Sequence, residues 1–355
     1  MKLGIFLQHY FPYGGLQRDA VRLARASENS TLVVSTNESF PEGVKLRPLH
    51  SGGYSNHRKL ALFASDCQPL TEFDRTIAFS RVPGCDFHFC GDTCFKERFQ
   101  QRKPALASFL PRYRFLLETE RRIFGPDSKT HIFFLAESEI PPFEKHYGIK
   151  SSRYTVLPPW LDPPEPLDEG KSSLREELSL SSEVPLLLFV ASNYHLKGLD
   201  RALKALAELS REQSDCHLIV CGKDELPPFQ KLAEELKISD RVHFLGPRDD
   251  IPAIMSACDL LVHPARQEAA GMVLTESLVQ RLPVLCTSVC GYSKHTREAG
   301  CPIIPADPSP ETIALEIKGT LARRSEIVST IEEWCRQPGR FETARIMLDR
   351  IARGC

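Results

Sequence analysis

Short apolar runs alternate with longer amphipathic stretches along most of the chain. The first run, Lys2–Leu7, reads as a buried strand, and the loop Gln8–Gly15 follows it. Leu16, Ala20, Leu23 and Ala24 then recur at helical spacing. Further strand-like runs cover Thr31–Ser35, Arg75–Phe79, Phe87–Cys90, His131–Ala136 and Tyr154–Leu157. Strands separated by crossovers predict a parallel α/β sheet. The second half repeats the pattern with strands at Pro185–Ala191, His217–Cys221, Arg241–Leu245, Leu260–His263, Pro283–Thr287 and Pro302–Ile304. Leu199–Leu209 and Phe229–Leu236 are helical stretches between them.

Between the halves lies Pro158-Pro159-Trp160-Leu161-Asp162-Pro163-Pro164-Glu165-Pro166, followed by polar residues to about Ser173. That proline density continues neither a sheet nor a helix and reads as a semi-rigid linker. The expected division is an N-terminal domain over 1–160, a second over 161–326, and a helical segment over 327–355 packing back toward the first. Ligands are expected at the carboxyl ends of the strands, in the cleft between two Rossmann-like halves.

Composition narrows the function classes. At 355 residues, 26% charged and with a formal net charge of −1, the chain gives global charge no role in recruiting nucleic acid. Its start is interrupted too early for a signal peptide, and no apolar run reaches the roughly 20 residues of a membrane span. A cytosolic location is expected. The twelve cysteines are scattered and often sit inside apolar strands, as buried thiols in a reducing compartment do. Cys85, Cys90 and Cys94 with His88 form one cluster, but their spacing is not that of paired zinc ligands.

The chemistry-bearing stretch is Gln267–Leu278. Glu268 and Glu276 are eight positions apart around a helix start; eight helical residues rise about 12 Å and turn about 80° beyond two full turns. Both carboxylates then face one extended ligand. The amides of Ala270, Gly271 and Met272 between them offer a phosphate seat at the positive end of the helix dipole. The same spacing also suits a solvated surface helix. Lys197, with Gly198 at a strand-to-helix turn, is placed to neutralise a diphosphate, or is a surface lysine. Gly14 and Gly15, between a strand and a helix, permit close backbone approach to a ligand or form a plain tight turn. The loops Cys221–Asp224 and Gly246–Asp250, with Arg248, end strands where a nucleobase could sit, or are turns. Asp92 past the Phe87–Cys90 strand, and Asp19 on the first helix, are placed to meet an acceptor hydroxyl, to cap a helix or to pair with a cation. No His-Asp-Ser arrangement or HExxH pattern is visible, and no G-x-G-x-x-G follows a strand, which disfavours a dinucleotide oxidoreductase.

Phe95 to Phe124 breaks the rhythm. It carries Lys96, Arg98, Arg102, Lys103, Arg112, Arg114, Arg121 and Arg122, interleaved with aromatic and leucine positions. Pro104 and Pro111 argue against one continuous helix. Such helical pieces suit an anionic membrane surface or burial against their own domain.

With these residues laid out, the chain resembles the retaining nucleotide-sugar glycosyltransferases of the GT-B fold, family four. Glu268 and Glu276 look like the family's E-x7-E motif, and His263-Pro264 precedes it as expected. Tyr10–Asp19, Arg112-Tyr113-Arg114, Glu120-Arg121 and Val289–Tyr292 are similar to stretches of those members that glucosylate the lipopolysaccharide core. The resemblance implies two Rossmann-like domains facing across a cleft, with Glu276 on the ribose hydroxyls and Glu268 on the donor sugar. Lys197 and the amides at Ala270, Gly271 and Met272 would hold the diphosphate, and Gly14-Gly15 would let the backbone approach it. Asp92 matches an acceptor-side aspartate, and Phe95–Phe124 a membrane-interacting region. The implied activity needs no cofactor or metal. It moves glucose from UDP-glucose to an inner-core heptose of a lipid-linked glycan, at the inner face of the cytoplasmic membrane. A family-four enzyme with another sugar or glycolipid, and a nucleotide-sugar-binding protein without catalysis, are the alternatives. Two positions depart from the relatives: Leu196 stands where an arginine usually precedes the lysine, and Trp160 replaces the glycine of a Pro-Pro-Gly.

Overall fold

A computed structural model describes residues 1–11, 14–37, 41–49, 55–68, 70–161, 170–212 and 214–354. Most of the expected linker, residues 162–169, lies outside them. The chain divides into two compact units, Met1–Trp160 with Glu342–Cys355, and Leu161–Phe341.

The first unit carries β1 (Leu3–Phe6), β2 (His9–Tyr10), β3 (Ser30–Val34), β4 (Thr36–Asn37), β5 (Leu46–Pro48), β6 (Arg75–Ala78), β7 (Phe87–Cys90), β8 (His131–Phe134) and β9 (Tyr154–Val156). Seven of them form one sheet in the order β5-β3-β1-β6-β7-β8-β9, and β2 pairs with β4. Every pairing is parallel. β7 and β8 are buried along their whole length, as strands covered on both faces must be, and Phe87 stacks on Phe133 at 5.6 Å. β5 escapes the sequence reading because Arg47 and Pro48 interrupt its apolar run; an edge position tolerates both.

The second unit carries β10 (Leu186–Val190), β11 (His217–Cys221), β12 (Val242–Gly246), β13 (Leu260–His263), β14 (Val284–Thr287) and β15 (Ile303–Ile304). Their order is β12-β11-β10-β13-β14-β15, again parallel. The helix Leu199–Arg211 buries Leu199, Leu203 and Leu206 on this sheet, and Pro310–Ala322 adds Ile313 and Ile317 to the same core.

Each sheet reverses direction once. In the first, the chain runs outward from β1 through β3 to β5 and restarts at β6; in the second it runs from β10 through β11 to β12 and restarts at β13. Loops leaving neighbouring strands diverge at such a point and open a crevice at the carboxyl ends. The candidate site residues of each unit lie there.

The expected C-terminal segment 327–355 is not one piece. The helix Arg324–Arg336 belongs to the second unit, where Ile331 and Trp334 are buried and the Arg340 guanidinium lies 4.3 Å over the Trp334 ring. Only 342–355 belongs to the first unit. There the helix Thr343–Arg353 buries Met347 and Ile351, and Thr343 Oγ1 donates to the carbonyls of Pro158 and Pro159. Two separately buried apolar faces divide the segment.

Candidate active site

In the second unit the loop after β10 is built to hold Lys197. The Asn193 side chain accepts from the Leu196 N–H at 2.9 Å and starts the short helix Tyr194–Lys197. The loop after β11 buttresses it: Asp224 Oδ2 accepts from the Tyr194 N–H at 2.6 Å, and the Tyr194 hydroxyl donates to the Gly222 carbonyl at 2.9 Å. Gly198 ends the helix at φ +85°, and a Cβ there would meet the Pro264 carbonyl oxygen at 2.2 Å. Only glycine permits this approach, and it brings Lys197 against the loop after β13.

That loop carries Glu268. Its Oε2 is 2.8 Å from Lys197 Nζ and 3.2 Å from His263 Nε2, while Lys197 also donates to the Gln267 carbonyl at 3.2 Å. Burial would raise the Glu268 carboxyl. The hydrogen bond and charge of His263, with the charge of Lys197, outweigh it and hold the group at about 2. Glu268 is therefore an ionised hydrogen-bond acceptor with an ammonium beside it. His263, read from sequence only as a flanking residue, is a direct partner of the carboxylate.

The expected helix through both glutamates is corrected. The helix is Met272–Val279, so Glu276 is helical and half-buried, but Glu268 precedes it in an extended stretch bridged to Cys290. Gly271 at φ +92° makes the break, because left-handed backbone cannot continue a right-handed helix. Tyr292 N–H donates to the Ala270 carbonyl at 2.7 Å and fixes the turn. The N–H groups at the start of a helix have no partner one turn back, so Met272 and the residues after it can donate to an anion.

Arg248 is not brought to this cluster. It follows edge strand β12, and its guanidinium is forked on Asp250 at 2.7 and 2.6 Å. Leu196, at the place of the relatives' arginine, accepts from the Arg266 N–H at 2.9 Å. Arg266 itself is engaged bidentately with Asp200, so it does not stand in for the missing charge.

In the first unit a cavity of about 300 Å³ opens at the carboxyl ends of β1, β6 and β7, with Ser80, Arg81, Asp92 and Glu120 in its lining. The Asp92 side chain is 72% exposed and lies 3.7 Å from Arg81 Nη2. Arg81 Nη2 is also 4.0 Å from Oε1 of the fully buried Glu120. Glu120 accepts from the N–H groups of Phe95 and Lys96 at 2.7 and 2.9 Å and from the Tyr147 hydroxyl at 2.6 Å. It thereby fixes the loop that displays Asp92. His88, buried in the cavity wall, is held neutral at about 3, chiefly by burial and then by the charge of Arg81.

Gly14 precedes and Gly15 begins the helix Gly15–Ala26, whose second residue Leu16 reaches the cavity wall. A Cβ on Gly15 would meet nothing within 4 Å, so its backbone is open to approach. Asp19 is excluded from the cavity. Its side chain is 3% exposed and paired with Arg22 at 3.1 Å, because its helical position faces the core beside Ala20 and Leu23. Trp160 is buried, its carbonyl accepting from Arg22 at 3.2 Å. In the cysteine cluster Cys90 donates to the Asp92 carbonyl and burial pushes the Cys94 thiol up to about 12; among the described residues no group of three His, Cys, Asp or Glu that could hold a metal ion is found.

Phe95–Phe124 is broken at its prolines into the helix Phe95–Arg102, a 3-10 turn Ala105–Phe109 and the helix Pro111–Phe124. Leu106, Phe109 and Leu110 are 78%, 79% and 54% exposed at the middle of the segment. Among the described residues no helix is long and apolar enough to cross a membrane.

Two parallel α/β units, each with polar side chains at its strand-order switch point, make the class of doubly wound α/β proteins that take ligands at their strand ends. Residues 170–332 match the family model for glycosyl transferases group 1. The chain is 35% identical over 321 residues to the lipopolysaccharide glucosyltransferase WaaG of Escherichia coli (strain K12), covering 87% of this chain and 86% of that protein. It belongs to the group 1 glycosyl transferases and has the GT-B fold. The crystal structure of WaaG, a glycosyltransferase involved in lipopolysaccharide biosynthesis, superposes with a TM-score of 0.90 at 31% identity, covering 98% of this chain and 99% of that one. Anabaena Alr3699/HepE in complex with UDP and glucose reaches a TM-score of 0.80 at 17% identity over 98% of both chains, a likeness of fold alone.

Proposed function

We propose that this glycosyltransferase moves glucose from UDP-glucose to an inner-core heptose of lipopolysaccharide with retention of the anomeric configuration. The observation that carries the reading is the Lys197–Glu268–His263 cluster at the reversal point of the second unit, beside a free helix start at Met272. A nucleotide-sugar needs a cation and amides for its diphosphate and carboxylates for its hydroxyls, and this half-site offers each. The similarity to a lipopolysaccharide glucosyltransferase over 86% of that protein supports glucose as the sugar and the lipopolysaccharide core as the acceptor.

In this reading Lys197 and the amides of Gly271 and Met272 take up charge as the diphosphate leaves. Glu268 orients the glucose hydroxyls, and Glu276 holds the ribose. The acceptor hydroxyl attacks the face from which the diphosphate departs, and a phosphate oxygen takes its proton. Asp92 faces the acceptor; Gly15 allows backbone approach. Leu106, Phe109 and Leu110, among Arg102, Lys103 and Arg114, rest on the anionic inner face of the cytoplasmic membrane, where a lipid-linked acceptor is presented.

The test is a mass-spectrometric screen of nucleotide-sugars against core glycans. Transfer of one hexose from UDP-glucose, lost in Glu268→Ala, is expected. Absence of turnover with every donor overturns the reading, and a preferred donor other than UDP-glucose corrects the sugar.

A further inference from the structure

We propose that the cavity of the first unit binds an anionic substituent of the acceptor, a phosphate ester or a carboxylate, through Arg81, Arg98 and Arg112. The inference rests on the reading that this cavity receives the acceptor glycan, and it names a chemical class that the reading leaves open.

Three guanidinium groups line one cavity of about 300 Å³. Two are organised by the same ring: Arg81 Cζ lies 5.5 Å and Arg98 Cζ 5.8 Å from the centre of Phe95. Phe95 is in turn anchored by its N–H to the buried carboxylate of Glu120 at 2.7 Å. A ring face attracts a cation through its quadrupole, so Phe95 orders both guanidinium groups without neutralising them.

The carboxylates present do not balance these cations. Asp92 and Glu120 both face Arg81, at 3.7 and 4.0 Å. Glu120 is already engaged by two backbone N–H groups and the Tyr147 hydroxyl. Among the described residues neither Arg98 nor Arg112 forms an ion pair. Like charges gathered in a recess repel one another more than on an open surface, since the low-dielectric walls screen them less. Neutral sugar hydroxyls do not compensate that charge. A phosphate or carboxylate does, and its planar or tetrahedral oxygens match the guanidinium fork. His88 Nδ1, buried in the same wall and without a partner among the described residues, adds one further polar group that a ligand can meet.

Asp92, exposed beside Arg81, lines the same cavity as Arg98 and Arg112, so a hydroxyl met by Asp92 and an anion met by the guanidinium groups are two points of recognition on one glycan. Two points fix orientation where one does not.

The test reads binding rather than turnover. Three lipid-free core oligosaccharides are titrated calorimetrically into the protein: the phosphorylated native glycan, the same glycan after phosphatase, and the same glycan after carboxyl reduction. At least one of the two removals is expected to weaken binding about tenfold or more, and which one does identifies the anion. In Arg98→Gln/Arg112→Gln, altered at half-exposed and exposed positions, the three glycans are expected to bind within about twofold of one another. Equal affinity of all three for the native protein, including no binding of any, overturns the proposal. So does a difference that survives in the double variant. Transfer from UDP-glucose is followed on the same samples. A retained binding difference without transfer refutes the proposed reaction and leaves the anion site standing.

Discussion

The ammonium of Lys197 stands 2.8 Å from Oε2 of Glu268, although three strands of the sheet intervene between them in sequence. In the proposed reaction this ion pair sets the cation for the diphosphate and the carboxylate for the sugar hydroxyls side by side, so a change at either residue is felt by the other.

Lys197→Gln removes the cation that the proposed reaction sets against the leaving group. We expect kcat to fall about 100- to 1000-fold, as when one preorganised donor is lost from a reacting oxyanion, with a smaller rise in donor KM. Steady-state kinetics with UDP-glucose checks this. A change confined to KM would mean that Lys197 binds the ground state alone.

The pH dependence of stability follows from Glu268. Its folded value, about 2, lies below its unfolded value near 4.5, so its ionisation stabilises the fold above about pH 4.5. That contribution is lost as the pH falls toward 2, and it is on the order of 3 kcal/mol. Glu268→Gln should therefore show a shallower loss of stability than the native protein between those limits. Urea unfolding of both proteins across that window measures the difference; parallel curves would refute it.

Gly198 and Gly15 make a contrasting pair. Gly198→Ala forces a left-handed residue against the Pro264 carbonyl and should cost about 1–3 kcal/mol or more, with displacement of Lys197 and loss of activity. Gly15→Ala adds a methyl to open space and should leave stability within about 0.5 kcal/mol. If the donor approaches this backbone, the same variant raises donor KM. Thermal unfolding and kinetics of the two variants separate packing from ligand approach.

Phe109→Ser with Leu106→Ser removes the exposed apolar centre of the Phe95–Phe124 segment. Full burial of one such side chain contributes about 1.5–3 kcal/mol, so partition onto vesicles rich in anionic lipid should weaken at least about tenfold. Activity on a lipid-free acceptor should be unchanged, since neither residue lines the cavity. Charge reversal at Arg102 and Lys103 should reduce binding mainly at low salt. Sedimentation with vesicles reads both effects.

The sequence by itself determined the alternation of strands and helices, the break after Trp160, Lys197 at a strand-to-helix turn and the stretch holding Glu268 and Glu276. These follow from local periodicity, proline and glycine, which act within a few residues. Only the tertiary structure decided that β10 lies between β11 and β13, which is what sets Lys197 against Glu268 and His263. Strand order depends on pairings far apart in the chain, and local pattern does not encode it. The same holds for Asp19, on the first helix, and Asp92, past β7, two carboxylates that sequence reads alike. One turned inward to Arg22 and the other faces the cavity, because the helix and the loop that carry them pack differently. Gly271 shows the limit at a single residue: glycine allows both a continuing helix and a left-handed break, and the surrounding contacts at Ala270 and Cys290 choose the break.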